Sequence, residues 1–399
     1  MIKNFLIKIL LILVSLIAGM AIIEIWLRVS SPKISKNHKP LYLADEYGNT
    51  IHQKNLNDLF YSTEKKSEVK LKTNKEGFIG NDYPLEKGTS TFRIAVLGDS
   101  FAEAIQIDTD KNFVSLLENQ LNEFDYEKFN NKKIEAMNFG IGGQGTFEEL
   151  KIYKYYVQKY NPDLVLLVFF PNDFENNQFY INYKKTIFNE ERGWEKINIS
   201  NANNSQTRSD FKYTLLKKSR LIYRLDSIFR SNAFLHNLAV KIGLQHSGPM
   251  GTEKNGIHSG FFIYETPLAK SHREVYDFTF ELLKHFSKEV NQQTKFAVIY
   301  LPEATQADAQ LWENKKKSTP GLANYEWNLN QPNTILAEKF KETNTIYFDL
   351  TPIYSEYCKK NHRSPIYFNQ DGHLNETGHK ITAQAIEKFL NEYYFNAKK

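Results

Sequence analysis

The chain has 399 residues, with 51 Lys and Arg against 46 Asp and Glu, for a net charge of +5. That length suits one large α/β domain with insertions or two small domains. The charge forms no basic stripe interleaved with aromatics, which argues against nucleic acid as a partner, and the single cysteine, Cys358, excludes an intrachain disulfide framework and a cysteine-rich zinc site.

Residues 1–30 begin with Lys3 and Lys8, then run apolar from Ile9 to Ile23 apart from Ser15 and Gly19. Phe5 to Leu27 is long enough for a membrane-crossing helix, which takes about 20 residues, and Trp26 and Arg28 would sit at the far interface. A cleaved signal peptide is the competing reading. The one candidate cleavage site, Ala18-Gly19-Met20-Ala21, lies inside the apolar run, which favours an uncleaved N-terminal anchor. Lys3 and Lys8 favour a cytoplasmic N-terminus, with the body outside the cytoplasm, periplasmic or extracellular.

Residues 31–91 read as a polar extension or stalk, with short strands at Leu41–Leu43 and Val69–Leu71. The rhythm changes at Phe92 and holds to about residue 395. Strands are expected at Arg93–Leu97, Ile134–Asn138, Asp163–Phe170, Phe296–Leu301 and Ile346–Leu350. Helices are expected at Asn112–Phe124, Glu148–Tyr160, Arg273–Val290, Thr334–Lys341 and Glu376–Tyr394, with short helices between Glu303 and Pro332. The third strand is apolar without alternation, as a strand covered on both faces is. Alternating strands and helices imply a parallel sheet between two helical layers. Residues 174–270 interrupt the rhythm as a large insertion, helical around Lys212–Leu244, that either caps the site or decorates the periphery.

Ligands of such sheets bind beyond the carboxyl ends of the strands, and four motifs fall there. Gly98-Asp99-Ser100 ends the first strand, where a helix start exposes the hydroxyl and offers N–H groups to an oxyanion; as a plain turn it is an ordinary N-cap. Asn138-Phe-Gly140-Ile-Gly142-Gly143 follows the second strand, and its glycines let backbone approach a ligand. Pro171-Asn172-Asp173 follows the third. Asp371-Gly-His373 precedes the last helix, where a histidine beside an acid is what a serine nucleophile requires. Asp371, His373 and His379 as metal ligands are the rival reading, weakened because histidines six apart do not share a helix face.

This set resembles the SGNH/GDSL hydrolase superfamily over about Phe92–Phe389, and the N-terminal helix resembles its bacterial membrane-anchored subgroup. The resemblance implies a flavodoxin-like three-layer α/β/α fold with a five-stranded parallel sheet and no cofactor. It makes Ser100 the nucleophile, His373 the base, Asp371 its acid, and Gly143 and Asn172 oxyanion donors. The sequence departs from the family in two places. The last block is usually Asp-x-x-His-Pro, whereas here Asp371 is two before His373 and Leu374 replaces proline; His379 is a fallback base. Phe170 stands where the third block has glycine. The implied activity is hydrolysis of O-acyl esters, O-acetyl among them, with cell-surface carbohydrate as a candidate substrate. The alternatives are acyl transfer to a glycan from the same site, and a non-catalytic surface binding or assembly protein.

Overall fold

A computed structural model of the chain describes residues 2–30, 41–62, 65, 67–124, 132–190, 192–197, 219, 221, 257–290, 294–343, 345–361, 365–369 and 372–395. It divides into two units, Met1–His38 with Asn198–Pro249, and Lys39–Ile197 with Met250–Lys399. In the first, the helix Ile2–Ser30 contains a stretch, Leu10–Val29, long and apolar enough to cross a membrane; its 20 residues span about 30 Å. An anchor and a signal sequence share that property. Near the end of this helix Glu24 accepts from Arg28 Nε at 2.7 Å, and from Ser219 Oγ and the Leu221 N–H, both at 2.8 Å. Apart from Ser219 and Leu221, the helical stretch expected at 212–244 lies outside the described residues.

The second unit is built on nine strands among its described residues. β1 (Tyr42–Ala44) pairs with β2 (Thr50–His52), and β3 (Asn57–Ser62) with β4 (Ser67–Lys72), both antiparallel. β5 (Thr91–Gly98), β6 (Lys133–Asn138), β7 (Leu164–Phe169), β8 (Lys295–Tyr300) and β9 (Ile346–Asp349) form one parallel sheet in the order β6-β5-β7-β8-β9. This is the flavodoxin-like order, with the first strand between the second and the third.

Residue alternation along these strands builds two cores. Ala95, Leu97, Val165, Leu167 and Val298 pack against Leu150, Leu283, Phe286, Leu336 and Phe340 on one face. Ile94, Val96, Leu166, Val168 and Ile299 pack against Leu117, Leu121, Tyr354 and Ile386 on the other. The helices Thr146–Ile152, Lys270–Glu289 and Gln331–Thr343 supply the first cover, and Phe113–Phe124, Thr351–Lys360 and Glu376–Phe389 the second. The stretch read as one helix over 148–160 changes at Tyr153 to a π turn and then a 3-10 turn ending at Tyr160.

From Leu41 onward, the segment read as a stalk is folded onto this body. Ile51 and Phe78 join the first core, and Leu56, Val69 and Leu71 form a small core of their own. Arg93 on β5 fastens its end. The guanidinium is fully buried, bonds Glu135 Oε2 at 2.8 Å, and donates to the carbonyls of Pro84, Leu85 and Tyr160. The insertion is likewise divided: residues 174–197 and 257–270 belong to the body.

Candidate active site

Ser100 and Asn172 follow β5 and β7, the neighbouring strands between which the chain's direction of winding reverses. Such a switch point opens a crevice at the carboxyl edge of a doubly wound sheet. Asp99 caps the short helix Ser100–Glu103, its Oδ1 accepting the Phe101 N–H at 2.9 Å. That cap leaves Ser100 partly exposed at the helix start, while Phe101, Ala102 and Glu103 turn inward.

His373 arrives from the loop before the helix Glu376–Phe389. That loop is held by Asn375, whose Oδ1 accepts from the Thr377 and Gly378 N–H groups and whose Nδ2 donates to the Pro365 carbonyl at 2.7 Å. His373 Nε2 lies 2.7 Å from Ser100 Oγ. Phe101 packs beside the imidazole with ring centroids 4.8 Å apart, and Phe170 stacks on Phe101 at 3.8 Å. Phe170, in the glycine position of the third block, therefore backs the ring that flanks His373. Asp371 lies outside the described residues.

The glycine loop runs beside the serine. Phe139 N–H bonds Val96 O at 2.7 Å and Ile141 N–H bonds Gly98 O at 3.1 Å, so the loop continues the β5–β6 ladder. Gly140 passes so close that a β-carbon there would lie 2.4 Å from the Glu103 nitrogen. Gly143 is exposed, with φ +75° and open space where a β-carbon would project. That left-handed backbone suits glycine. Asn172 donates Nδ2 to Asp99 Oδ2 at 2.8 Å. The structure thus brings Ser100, His373, Asn172 and the Gly140–Gly143 loop to one edge.

His379 is elsewhere. It is 1% exposed, its Nδ1 accepts the Phe113 N–H at 3.3 Å, and it stacks on Phe113. Burial pushes its imidazole down to about 3, so at neutral pH it is an uncharged acceptor inside the body. Cys358 is half-buried, and burial, then the charge of Asp308, push its thiol up to about 11, the reverse of an activated thiolate. Among the described residues no group of His, Cys, Asp or Glu converges as metal ligands do.

Behind the site lies a set of buried acids that sequence reasoning missed. Asp99, Asp173 and Glu149 are each 1% exposed or less. Burial raises all three above the ordinary carboxylate range, and the nearby carboxylates raise Glu149 and Asp173 further. Asp173 Oδ2 accepts the Phe170 N–H at 3.0 Å, bracing the turn that presents Asn172.

No protein-family model and no curated protein matches the chain. Solved structures that align with it include the acetyl xylan esterase AlAXEase, at 14% identity and TM-score 0.38, over 75% of this chain and 100% of that one. A catalytic mutant of Axe2, an acetylxylan esterase from Geobacillus stearothermophilus, aligns at 14% identity and TM-score 0.39, over 78% and 97%. A lipolytic G-D-S-L family member from Veillonella parvula aligns at 9% identity and TM-score 0.37, over 76% and 98%. The sheet has the strand order that the SGNH/GDSL resemblance implies, and the Gly-Asp-Ser, glycine-loop, asparagine and histidine blocks lie along its carboxyl edge.

Proposed function

We propose that the chain is a serine-dependent esterase. The observation that carries this is the 2.7 Å approach of His373 Nε2 to Ser100 Oγ at the switch point of the sheet. In this reading His373 takes the hydroxyl proton as Ser100 attacks an ester carbonyl, and Asp371 fixes the imidazole tautomer. The tetrahedral oxyanion is held by the N–H groups of Ser100 and Gly143 and by Asn172. An amide nitrogen carries two hydrogens; the one bonded to Asp99 orients the group, and the other serves the oxyanion. His373 returns the proton to the departing alcohol, and water releases the acid from the acyl-enzyme.

The substrate class we assign is O-acyl esters, with O-acetyl groups on cell-surface carbohydrate as the first candidate. The N-terminal helix, read as an anchor, holds the enzyme at the outer face of a membrane. The same acyl-enzyme serves transfer to a sugar hydroxyl if water is kept from it. The test is incubation of the detergent-solubilised full chain with an acetylated oligosaccharide, with and without a deacetylated acceptor. Free acetate in both incubations supports the esterase; acetate appearing only on the acceptor supports transfer. No deacetylation in either incubation, and no turnover of 4-nitrophenyl acetate, overturns the enzymatic reading.

A further inference from the structure

The N-terminal segment of the body reaches the floor of this site. Glu103 closes the helix that Ser100 opens and is 1% exposed. Its Oε1 lies 2.7 Å from Nε2 of His52, which is fully buried. The other imidazole nitrogen, Nδ1, lies 3.0 Å from the Gly77 carbonyl oxygen. A carbonyl only accepts, so Nδ1 carries a hydrogen. Nε2 faces the Glu103 carboxyl group in a hydrogen bond closed off from water.

Tyr42 completes the arrangement. It is the cross-strand partner of His52, so both side chains leave the β1–β2 hairpin on one face, with ring centroids 5.3 Å apart. Tyr42 as a whole is 38% exposed, but its hydroxyl end is turned inward, and burial of that end, then the adjacent Glu103 carboxylate, push the phenol above its ordinary range. A β-carbon on Gly142 would lie 2.8 Å from Glu103 Oε2 and 3.2 Å from the Tyr42 hydroxyl. The carboxylate and the phenol therefore lie directly against the loop that presents Gly143. On its backbone side, the nucleophile's helix is held to the same loop by Asn138 Nδ2, which donates to Ala102 O at 2.7 Å.

We propose that Glu103, His52 and Tyr42 are positioning residues that set the spacing between Ser100 and the Gly142–Gly143 backbone. The segment read from sequence as a stalk is then part of the working site. Burying a carboxylate and an imidazole is costly unless both are bonded. Here the bonded pair sits where the nucleophile's helix meets the oxyanion loop. The inference rests on the assignment of Ser100 as nucleophile and Gly143 as oxyanion donor.

The test measures kcat and KM for 4-nitrophenyl acetate, the rate of fluorophosphonate inactivation and thermal unfolding, on the full chain in detergent. The variants are Tyr42→Phe, Glu103→Gln, His52→Gln and His52→Leu. Tyr42→Phe is expected to melt within about 2 °C of wild type and to lose about tenfold in kcat and inactivation rate at unchanged KM. His52→Gln keeps a donor toward Glu103 and is expected to retain more kcat than His52→Leu. Tyr42→Phe and Glu103→Gln at wild-type kcat, whatever their melting temperatures, would overturn the positioning role. A wild-type chain that neither hydrolyses the ester nor reacts with the probe would instead overturn the esterase reading, and this inference with it. If His52→Leu does not fold, Tyr42→Phe decides alone.

Discussion

Asn172 is held by Asp99: its side-chain amide donates to Asp99 Oδ2 at 2.8 Å, tying the end of β7 to the end of β5 beside Ser100. Asp99 is fully buried and also accepts the Phe101 N–H, so it cannot turn away without leaving donors unbonded. In its proposed role as oxyanion donor, an amide fixed in this way needs no reorganisation during reaction. Asn172→Ala is expected to lower kcat about a hundredfold or more with little change in KM. Steady-state kinetics on an activated acetyl ester check this, and a near wild-type kcat removes Asn172 from the site.

Arg93 bears on stability alone. Its guanidinium is fully buried against Glu135 and four backbone carbonyls, those of Pro84, Leu85, Glu86 and Tyr160. Arg93→Met leaves the Glu135 carboxylate without its partner and frees residues 84–86 from the end of β5. The expected loss is about 3–5 kcal/mol, the usual result of breaking one side of a buried pair. Urea unfolding measures it, and the fraction that remains folded is expected to turn over at the wild-type rate.

His379 makes stability depend on pH in a defined direction. Its folded-state pKa is pushed down to about 3 by burial, whereas an unfolded histidine titrates near its ordinary value. Between those values the unfolded chain binds the extra proton, so stability falls as pH is lowered from about 6.5 toward 3. Its contribution is fully present above the upper value. His379→Asn offers Phe113 a neutral acceptor without titrating. The stability gap between wild type and this variant is expected to narrow as pH falls from 7 to 4, by an amount on the order of a few kcal/mol. A gap independent of pH contradicts the assignment.

Glu149 acts in the opposite direction. Its folded-state carboxyl is raised by burial and by the nearby charges of Asp99 and Glu148, so the native state holds a proton that the unfolded chain releases. Stability from this group is therefore lost as pH rises above the ordinary glutamate range. Glu149→Gln has the same shape without the ionisation. It is expected to raise the melting temperature more at pH 8.5 than at pH 5; an equal shift at both would show that the carboxyl ionises freely in the folded protein.

Much of this was legible in the sequence because sheet physics makes it local. Strands buried on both faces read as apolar runs, and the crevice of a parallel sheet puts its chemistry just after them, so Ser100, Asn172 and the Gly140–Gly143 loop could be marked from position alone. His373 was marked by its neighbours before the last helix. What was missed is non-local. His52 meets Glu103 across 51 positions, and no periodicity links them. Phe170 looked like a departure from a glycine block, yet it supports the Phe101 ring beside His373. The helix Thr351–Lys360 went unread because it follows β9 after one residue, although Pro352 in its first turn is a start signal. Residues 31–91 read as a stalk because their polar composition hides a few widely spaced core residues, Ile51, Leu71 and Phe78 among them.

The central claim is that Ser100 is an activated nucleophile. Its most direct measurement is fluorophosphonate labelling of the full chain, with the modified residue mapped by peptide mass spectrometry, on wild type, Ser100→Ala and His373→Ala. The expected result is one adduct on Ser100 in wild type, none in Ser100→Ala, and labelling slowed by about a thousandfold or more in His373→Ala. An adduct on another residue, or folded wild-type protein that stays unlabelled, would contradict the account.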